Sequence, residues 1–503
     1  MIKVPFKFLL CLSVTAFTSV SFGKDSNKAI TNTAFWKSIY EDHHVIEMDI
    51  SLTKEAWESM APKPSERDRE GPPWDSDSEF AYAKANITID GEPFEDAGLR
   101  FKGNSSYRFS SRGYKRPLKI DTNRFVKGRK LYGRTKVNLS NAFLDSAYMK
   151  EKIAYQLYQS AGIPTPGVGW AAVTLSIEGV IEKKHLGTYV LIEQVDDDYL
   201  KRQFGKKTKK SLLMKPESSA DWEYPGEDPK LYESFGIKEG EDNDEQIHRF
   251  GELLKLIAES TDEDFAKEIG ERMDLDQLAG YLAATSILAS LDSYIGMPHN
   301  YYLLMDKADD KLRLLPWDVN ESFGTFSMGT TPETLANWNI DRPWTSNRRL
   351  LERLFATKSF PERYKASVAK LMKEEFTKEK LFPQIDAMEK ALSPHIVKDE
   401  IGTGLEGMRM GIDGDDSGFN TAVDREVLAI KPFIKKRIAS VNAQLAGTSE
   451  GEKIEPRRGR GGPPGGRPPR GGPGGQRGGP PRSEGLGPPP GEGPPAGDRD
   501  RPE

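Results

Sequence analysis

The segment LDQLAGYLAATSILASLDSY, residues 275–294, reads as a helix that is apolar on nearly every side. A helix on a protein surface has an apolar stripe on one face only, so a helix of this composition belongs in the interior. Neighbouring amphipathic segments such as 247–261 can cover it. The chain must therefore build a core large enough to enclose a helix, which its length of 503 residues permits.

Strand-like patterns fill the first half of the chain and helical patterns most of the second. Asp90-Gly91 is a dipeptide that favours a tight hairpin turn, and 145–161 has helical spacing with Asp145 as its N-cap. This succession predicts an α+β fold with a mainly β N-terminal lobe at about 45–205. A mainly helical C-terminal lobe follows at about 206–447, in the gross plan of a divergent protein-kinase-like two-lobed fold.

The first 23 residues have the layout of a secretory signal peptide, and residues 24–44 follow as a linker. Lys3 and Lys7 precede an apolar run from Phe8 to Phe22 that is short for a transmembrane helix. The single cysteine, Cys11, lies in the segment that we expect to be removed, which leaves no disulfide and no cysteine metal site. We expect an exported protein in the periplasm, at the cell surface or outside the cell, without a transmembrane anchor.

Residues 448–503 are rich in Gly, Pro and Arg and have almost no apolar side chains. Such a segment cannot offset the entropy of ordering, so we expect a disordered tail. Arg-Gly repeats resemble RNA-binding tails, but an exported protein rarely meets RNA. We therefore interpret the tail as a tether to envelope polymers, and we expect a monomer without a nucleic acid partner.

Three polar residues in the second half of the chain lie at the ends of predicted helices or strands. Asp292 follows the apolar helix, where a buried charge is costly unless it has a partner or a function. Asn300 begins the next strand, and Asp318 ends the strand after it in RLLPWDVNESFG. A hairpin turn at 308–310 would bring Asn300 and Asp318 together. The simpler interpretation is a helix-ending Asp, a turn Asn and a helix-capping Asp.

Phosphoryl transfer requires such a set of groups. One carboxylate orients the acceptor hydroxyl, while an amide oxygen and a second carboxylate hold the magnesium ion that bridges the phosphates. Protein kinases carry Asp, Asn and Asp in this chain order, the last one before Phe-Gly, and SFG stands at 322–324 here.

The first half should then supply phosphate-binding groups. RFKGNSSYRF ends a strand with a turn in which Ser105 offers a hydroxyl to phosphate oxygens. Lys119 lies in the next strand. A lysine that points at the site from this strand, and that Glu151 of the 145–161 helix holds in position, would bind phosphates well. Ordinary turn chemistry at Ser105 and a solvent-facing Glu151 are the alternatives.

The chain resembles the CotH kinase family, the spore coat protein H type of atypical kinase. The resemblance covers about Val45 to Leu445 and is carried, in the family's order, by LRFKGNSSYRF and KRPLKI, DSAYMKEKIAYQLYQSAGIPTP, GTYVLIEQVD, LLMKPE, LDSY and HNYYLL, and PWDVNESFG. It implies a divergent kinase-like fold, ATP with Mg²⁺ or Mn²⁺, and transfer of the γ-phosphate to serine of a secreted, envelope or coat protein.

The resemblance also implies roles for individual residues. Asp292 would be the catalytic aspartate, with Asn300 and Asp318 as metal ligands. The nucleotide site would include Lys119 and Lys215, and Glu193 would face the nucleotide where the two lobes join.

One position departs from the family pattern. The family often has a second Asp two residues after the metal-binding Asp, and this chain has Asn320. A nucleotide-binding pseudokinase or a structural envelope protein is therefore the alternative, and transfer of AMP or glutamate on the same fold is a weaker one.

A second metal candidate lies in DGDDSGFNTAVD. Asp413, Asp415, Ser417 and Asp424 occupy positions 1, 3, 5 and 12 of a calcium-loop pattern, with Asp in place of the usual closing Glu. A simple acidic turn explains the same residues.

Overall fold

The computed structural model describes residues 32–62, 80–111, 113–145, 147–216, 222–240, 242–326, 330–345, 347–396 and 422–454. The strands in these residues are β1 (Val45–Leu52), β2 (Ala83–Ile89), β3 (Glu92–Phe101), β4 (Leu118–Asp121), β5 (Lys136–Ser140), β6 (Val168–Ile177), β7 (Ile181–Glu193), β8 (Leu212–Met214), β9 (Ile237–Glu239), β10 (Tyr301–Asp306) and β11 (Lys311–Pro316). The α-helices are α1 (Asn32–Tyr40), α2 (Lys54–Ser59), α3 (Ser105–Ser110), α4 (Lys150–Ser160), α5 (Asp197–Phe204), α6 (Asp244–Glu259), α7 (Asp262–Arg272), α8 (Leu275–Ile287), α9 (Pro332–Ala336), α10 (Arg349–Ala356), α11 (Ser359–Glu374), α12 (Lys378–Leu392) and α13 (Ala422–Leu445).

Strands β1 to β7 form a closed barrel in the order β1-β2-β3-β4-β5-β7-β6. The parallel pairing of β1 with β6, which sets Val45 opposite Trp170, closes it. Side chains alternate between the two faces of each strand, so Met48 and Ile50 of β1 are buried while Glu47 is exposed. The inward side chains form a core of their own inside the barrel.

The remaining strands form a four-stranded sheet in the order β11-β10-β8-β9. Its β10–β11 hairpin pairs Tyr301 with Pro316 and Asp306 with Lys311. The turn therefore begins one residue before the expected 308–310, and the predicted hairpin is confirmed. Its open end brings Asn300 and Asp318 to the same place.

Helix α8 is the interior helix that its composition predicts, since every residue from Gln277 to Ile287 is buried. It packs between α4 and α11. Arg437 of α13 is itself buried and donates hydrogen bonds to Ser286 O at 3.0 Å and Ile287 O at 3.3 Å, which satisfies carbonyls at the end of α8. The same guanidinium donates to Trp338 O at 2.6 Å. The chain that leaves α8 towards Asp292 is thus fixed.

The prediction of a protein-kinase-like fold with a mainly β lobe and a mainly helical lobe was wrong. The N-terminal strands close into a seven-stranded barrel, and a second sheet accompanies the helices of the later part. Periodicity identified the strands, but closure depends on β1 pairing with β6 far along the chain, which no local pattern reports.

Both expected boundary segments include ordered structure. Helix α1 lies within the expected linker and buries Phe35, Trp36 and Ile39 against the barrel. Near the other end, Asn339 N–H donates to Glu452 O at 2.9 Å, so the start of the expected tail is attached to the fold. The expected signal peptide and the tail beyond residue 454 lie outside the described residues. Within the described ranges, no helix is long and apolar enough to cross a bilayer.

Candidate active site

Asp292 lies in the segment between α8 and β10, and both of its carboxylate oxygens are engaged. Asn300 Nδ2 donates to Oδ2 at 2.7 Å and to the Asp292 carbonyl at 3.2 Å. His299 Nε2 is hydrogen-bonded to Oδ1. Asn300 has a φ of 59°, in the left-handed region that asparagine tolerates better than most residues. This backbone conformation turns the amide back onto Asp292 and fixes the pair.

Asp318 follows β11 and also has a left-handed backbone, with a φ of 56°. Trp317 N–H donates to Asn300 O at 3.2 Å, so the hairpin holds Asn300 beside the Asp318 segment. Asp318 N–H donates to Tyr155 Oη of α4 at 3.1 Å. A short 3₁₀ turn, Val319–Glu321, comes next, and the Asp318 side chain makes no capping hydrogen bond to it. The helix-capping interpretation of Asp318 is therefore not supported.

Glu321 adds a third carboxylate to this region. Its pKa is raised to about 8, first by burial and then by the negative charges of Asp292 and Asp318, whereas the Lys150 ammonium lowers it. Both aspartates therefore act on one carboxylate, which means that the structure brings them together. The sequence contained a signal for Glu321, because this carboxylate follows Asp318 by only three residues in WDVNES.

A half-buried lysine, Lys102, and a buried glutamate, Glu151, lie near Asp318. Lys102 directly follows β3, and Glu151 lies in the first turn of α4 with 1% of its surface exposed. Burial lowers the pKa of Lys102, while the carboxylates of Asp318 and Glu151 raise it. The pKa of Glu151 is raised well above its usual value by burial and then by Asp318, with Lys102 acting against them. Within the described part of the chain, Glu151 Oε1 has no hydrogen-bond partner.

Lys119 was the lysine expected beside Glu151, and the structure brings Lys102 there instead. Lys119 lies on β4, directly opposite Arg100 of β3. Its pKa is lowered to about 7 by burial and then by neighbouring cations, the Arg100 guanidinium first and Lys102 among them. Lys102 stands two residues after Arg100 and so on the same side of the strand. This alternation within RFKGNSS places Lys102 among the candidates, but it does not show which lysine lies near Glu151.

Two further predicted residues lie near Lys102. Lys215 follows β8, and its Nζ is 5.8 Å from the centre of the Trp317 ring, the same distance as Lys102 Nζ. Lysines that follow strands of two different sheets thus flank the residue before Asp318. Ser105 is exposed in the first turn of α3, three residues after Lys102, behind a turn in which Gly103 has a φ of 79°.

Glu193 is engaged by other groups. Arg134 Nη2 lies 3.1 Å from its Oε1, Arg202 forms a second ion pair with the same oxygen, and Gly167 N–H donates to Oε2 at 3.0 Å. These partners belong to the barrel region and α5. The expected contact of Glu193 with a nucleotide stays a prediction.

Asn320 has a structural contact where the family often has a second Asp. Its Nδ2 donates to Phe143 O at 2.7 Å, and the residue is buried. This bond ties the 3₁₀ turn to the segment before α4. The expected calcium loop, with Asp413, Asp415, Ser417 and Asp424, lies outside the residues whose side chains the structure describes.

Comparison with known proteins assigns most of the chain to a family domain. The family model described as CotH kinase protein matches residues 99–441, which include Lys102, Glu151, Asp292 and Asp318. The chain is also similar to the inner spore coat protein H of Bacillus subtilis (strain 168), with 20% identity over 329 residues, which is 65% of this chain and 83% of that protein. Because the family model covers more than half of its length, the chain belongs to the CotH kinase protein family.

Proposed function

We propose that this protein is an exported phosphotransferase that transfers the γ-phosphate of ATP to serine of an envelope or coat protein. The observation that carries the proposal is the half-buried Lys102 ammonium, whose pKa is lowered by burial but raised by the nearby carboxylates of Asp318 and Glu151. A cation beside acidic groups suits a ligand that brings both phosphates and a divalent metal ion. The family membership supports the same chemistry.

Lys102 would bind the nucleotide phosphates as a point charge, and Glu151 would hold its ammonium in position. Glu151 Oε1 has no hydrogen-bond partner among the described residues, so it is available to accept a hydrogen bond from the Lys102 ammonium when phosphate binds. Lys119, Lys215 and Ser105 would extend the phosphate-binding surface around Lys102.

Asn300 and Asp318 would hold Mg²⁺ or Mn²⁺. The fit rests on the carboxylates of Asp292, Asp318 and Glu321, whose mutual repulsion a cation would relieve. Among the described residues, no three His, Asp or Glu side chains form a metal site unaided. Magnesium usually takes one or two protein carboxylates together with phosphate oxygens and water. When bound, the cation would neutralise the charge on the phosphates.

Asp292 would orient the acceptor serine and take its proton. The serine oxygen would form a bond to the γ-phosphorus while the bond from that phosphorus to the β-γ bridging oxygen breaks, which releases ADP. The hydroxyl proton would pass to the Asp292 carboxylate and then to water. Asn300 and His299 would keep the carboxylate aimed at the hydroxyl.

The N-terminal pattern and the relative both support the proposed location. The first 23 residues have the layout of a signal peptide, and the similar Bacillus subtilis protein is named for the inner spore coat. An envelope or coat location supports a protein acceptor there, with the Arg-Gly-Pro segment as a tether.

The alternative is a nucleotide-binding protein without transfer activity. Asn320 favours it, because its amide is committed to Phe143 O and supplies no second carboxylate to the metal. Glu321, one residue later, offsets this loss by bringing a carboxylate to the same region. We therefore place transfer first.

A labelling experiment tests the proposal. The purified protein is incubated with γ-labelled ATP and Mg²⁺, with its own chain and dephosphorylated casein as acceptors. We expect labelled phosphoserine that disappears in Asp318→Asn and Asp292→Asn but persists in Asp276→Asn, an exposed aspartate that pairs with Arg363. Bound ATP without label would favour the non-catalytic alternative, and label from α-labelled ATP would indicate AMP transfer instead.

A further inference from the structure

The connection between β4 and β5 is strongly basic. From Thr122 to Leu144 the chain has no Asp or Glu, and its basic residues are Arg124, Lys127, Arg129, Lys130, Arg134 and Lys136. Neither the candidate active site nor the proposed reaction uses the first part of this connection.

Residues 124–128, which we call the loop tip, are exposed without interruption. They include Phe125 with 40% of its surface exposed and Val126 with 37%. In the described ranges, the other large apolar side chains with comparable exposure, Val180 at 43% and Leu231 at 46%, each stand alone. An adjacent exposed Phe-Val pair between cations is therefore a particular feature of this loop.

The loop is held in a fixed shape. Thr122 Oγ1 donates to Arg129 O at 3.0 Å across its base, and Gly128 N–H donates to Asn123 Oδ1 at 2.7 Å below the tip. Arg129 Nε donates to Thr122 O at 3.2 Å. Presenting Phe125 and Val126 to solvent thus requires no rearrangement, and little ordering entropy is lost on binding.

We propose that the loop tip inserts into the surface of an anionic lipid bilayer. Phe125 and Val126 would enter the boundary between headgroups and acyl chains, while Arg124 and Lys127 would bind the phosphate groups of the lipids. Two other cations of the connection have acidic partners, since Lys130 Nζ lies 3.9 Å from Asp198 and Arg134 Nη2 lies 3.1 Å from Glu193. The attraction is therefore concentrated at the tip.

Lipid suits the tip better than a macromolecular partner. Two side chains offer far less than the roughly 800 Å² that each partner of a stable protein interface buries. The tip has one aromatic ring, Phe125, whereas proteins that bind single-stranded nucleic acid stack successive bases on several aromatic side chains along a groove. A bilayer needs only a small apolar wedge with cations around it.

A fluorescent label distinguishes insertion of the loop from attraction of the basic C-terminal segment. In the full chain with Cys11→Ser, the environment-sensitive probe NBD is attached to Val126→Cys or, as a control, to Val180→Cys. With vesicles of phosphatidylglycerol and phosphatidylcholine, we expect a blue shift and protection from aqueous quencher at position 126 only. No shift at position 126, or equal shifts at both positions, would overturn the proposal.

Unlabelled variants test the two components separately by co-sedimentation. Phe125→Ser with Val126→Ser should reduce vesicle binding at least about tenfold, whereas Val180→Ser should not. Arg124→Glu with Lys127→Glu should weaken binding by about fivefold or more for each charge, and more than Lys206→Glu with Lys207→Glu. Lipid insertion would be contradicted if the protein bound neutral vesicles equally well, or if the two pairs of charge substitutions had equal effects. It would also be contradicted if the protein bound the soluble polyanion polyglutamate and the substitutions at Phe125 and Val126 weakened that binding as much as they weaken vesicle binding.

Discussion

Replacing Glu151 by glutamine should change stability and nucleotide binding in opposite directions. Glu151 is buried beside Asp318, and one of its oxygens lacks a hydrogen-bond partner among the described residues. Buried polar groups without a hydrogen-bond partner reduce stability, and proteins retain them where a function requires them. Glu151→Gln keeps the shape and removes the charge.

The magnitude follows from the two states of the site. Burial and the Asp318 charge both disfavour the ionised Glu151 carboxylate, and replacing a buried charge by a neutral group of the same shape can stabilise a protein by about 1 kcal/mol or more, while Lys102 keeps the attraction of Asp318 after the substitution. The free energy of unfolding of the nucleotide-free protein should therefore rise by about 1 kcal/mol. The affinity for ATP should fall about tenfold, which corresponds to about 1.4 kcal/mol, because Lys102 loses the group that positions it.

The matched control is Glu193→Gln. Glu193 is also buried, but Arg134, Arg202 and Gly167 engage both of its oxygens. Loss of its charge should lower the free energy of unfolding by about 3 kcal/mol. Urea midpoints from tryptophan fluorescence in EDTA compare the variants. A loss of stability in Glu151→Gln similar to that in Glu193→Gln would refute the reasoning.

Three further predictions concern neighbouring parts of the fold. Arg437→Met should lower the free energy of unfolding by about 3 to 5 kcal/mol, because several buried carbonyls lose their donor. The control Lys436→Met removes an exposed ion pair and should change the free energy of unfolding by less than about 1 kcal/mol. Urea midpoints that fall equally in both variants would contradict this prediction. Burial lowers the pKa of Lys152 to about 7, so the folded state binds fewer protons than the unfolded state above that pH. Wild-type stability should therefore gain up to about 1.4 kcal/mol per pH unit from pH 7 to 9 relative to Lys152→Met, and parallel curves for the two proteins would exclude this titration. His299→Ala should lower kcat and leave KM for ATP unchanged in steady-state kinetics, because His299 contacts Asp292, which we assign to the acceptor hydroxyl; a rise in KM alone would contradict the assignment.

The sequence predicted those features that local periodicity and capping determine. The apolar pattern placed α8 in the interior, and the hairpin of β10 and β11 brought Asn300 and Asp318 to one end. The helix expected at 145–161 begins later, at Lys150, because Asp145 Oδ2 accepts the Lys150 N–H from five residues away at 3.0 Å. The N-cap position is Met149, so the prediction of Asp145 as the N-cap was wrong, although Asp145 accepts a backbone hydrogen bond from the first residue of the helix.

Two features that depend on contacts between distant parts of the chain could not be predicted from the sequence: the closure of the barrel and the lysine that lies near Glu151. Barrel closure joins strands from distant parts of the chain, so the strand patterns were compatible with an open sheet and with a barrel. The lysine beside Glu151 was assigned to Lys119 because it stands within a strand between apolar residues. Lys102 lies just beyond a strand end, and only the position of α4 against the barrel shows that it faces Glu151 and Asp318.

Calorimetric titration of ATP in the presence of Mg²⁺ tests most directly whether Lys102 marks a nucleotide site. We expect binding by the wild-type protein, a loss of about tenfold to a hundredfold in Lys102→Met, and a smaller loss in Lys119→Met. Absence of binding heat with the wild-type protein at several temperatures, or unchanged affinity in Lys102→Met, would contradict the assignment of this cluster to nucleotide phosphates.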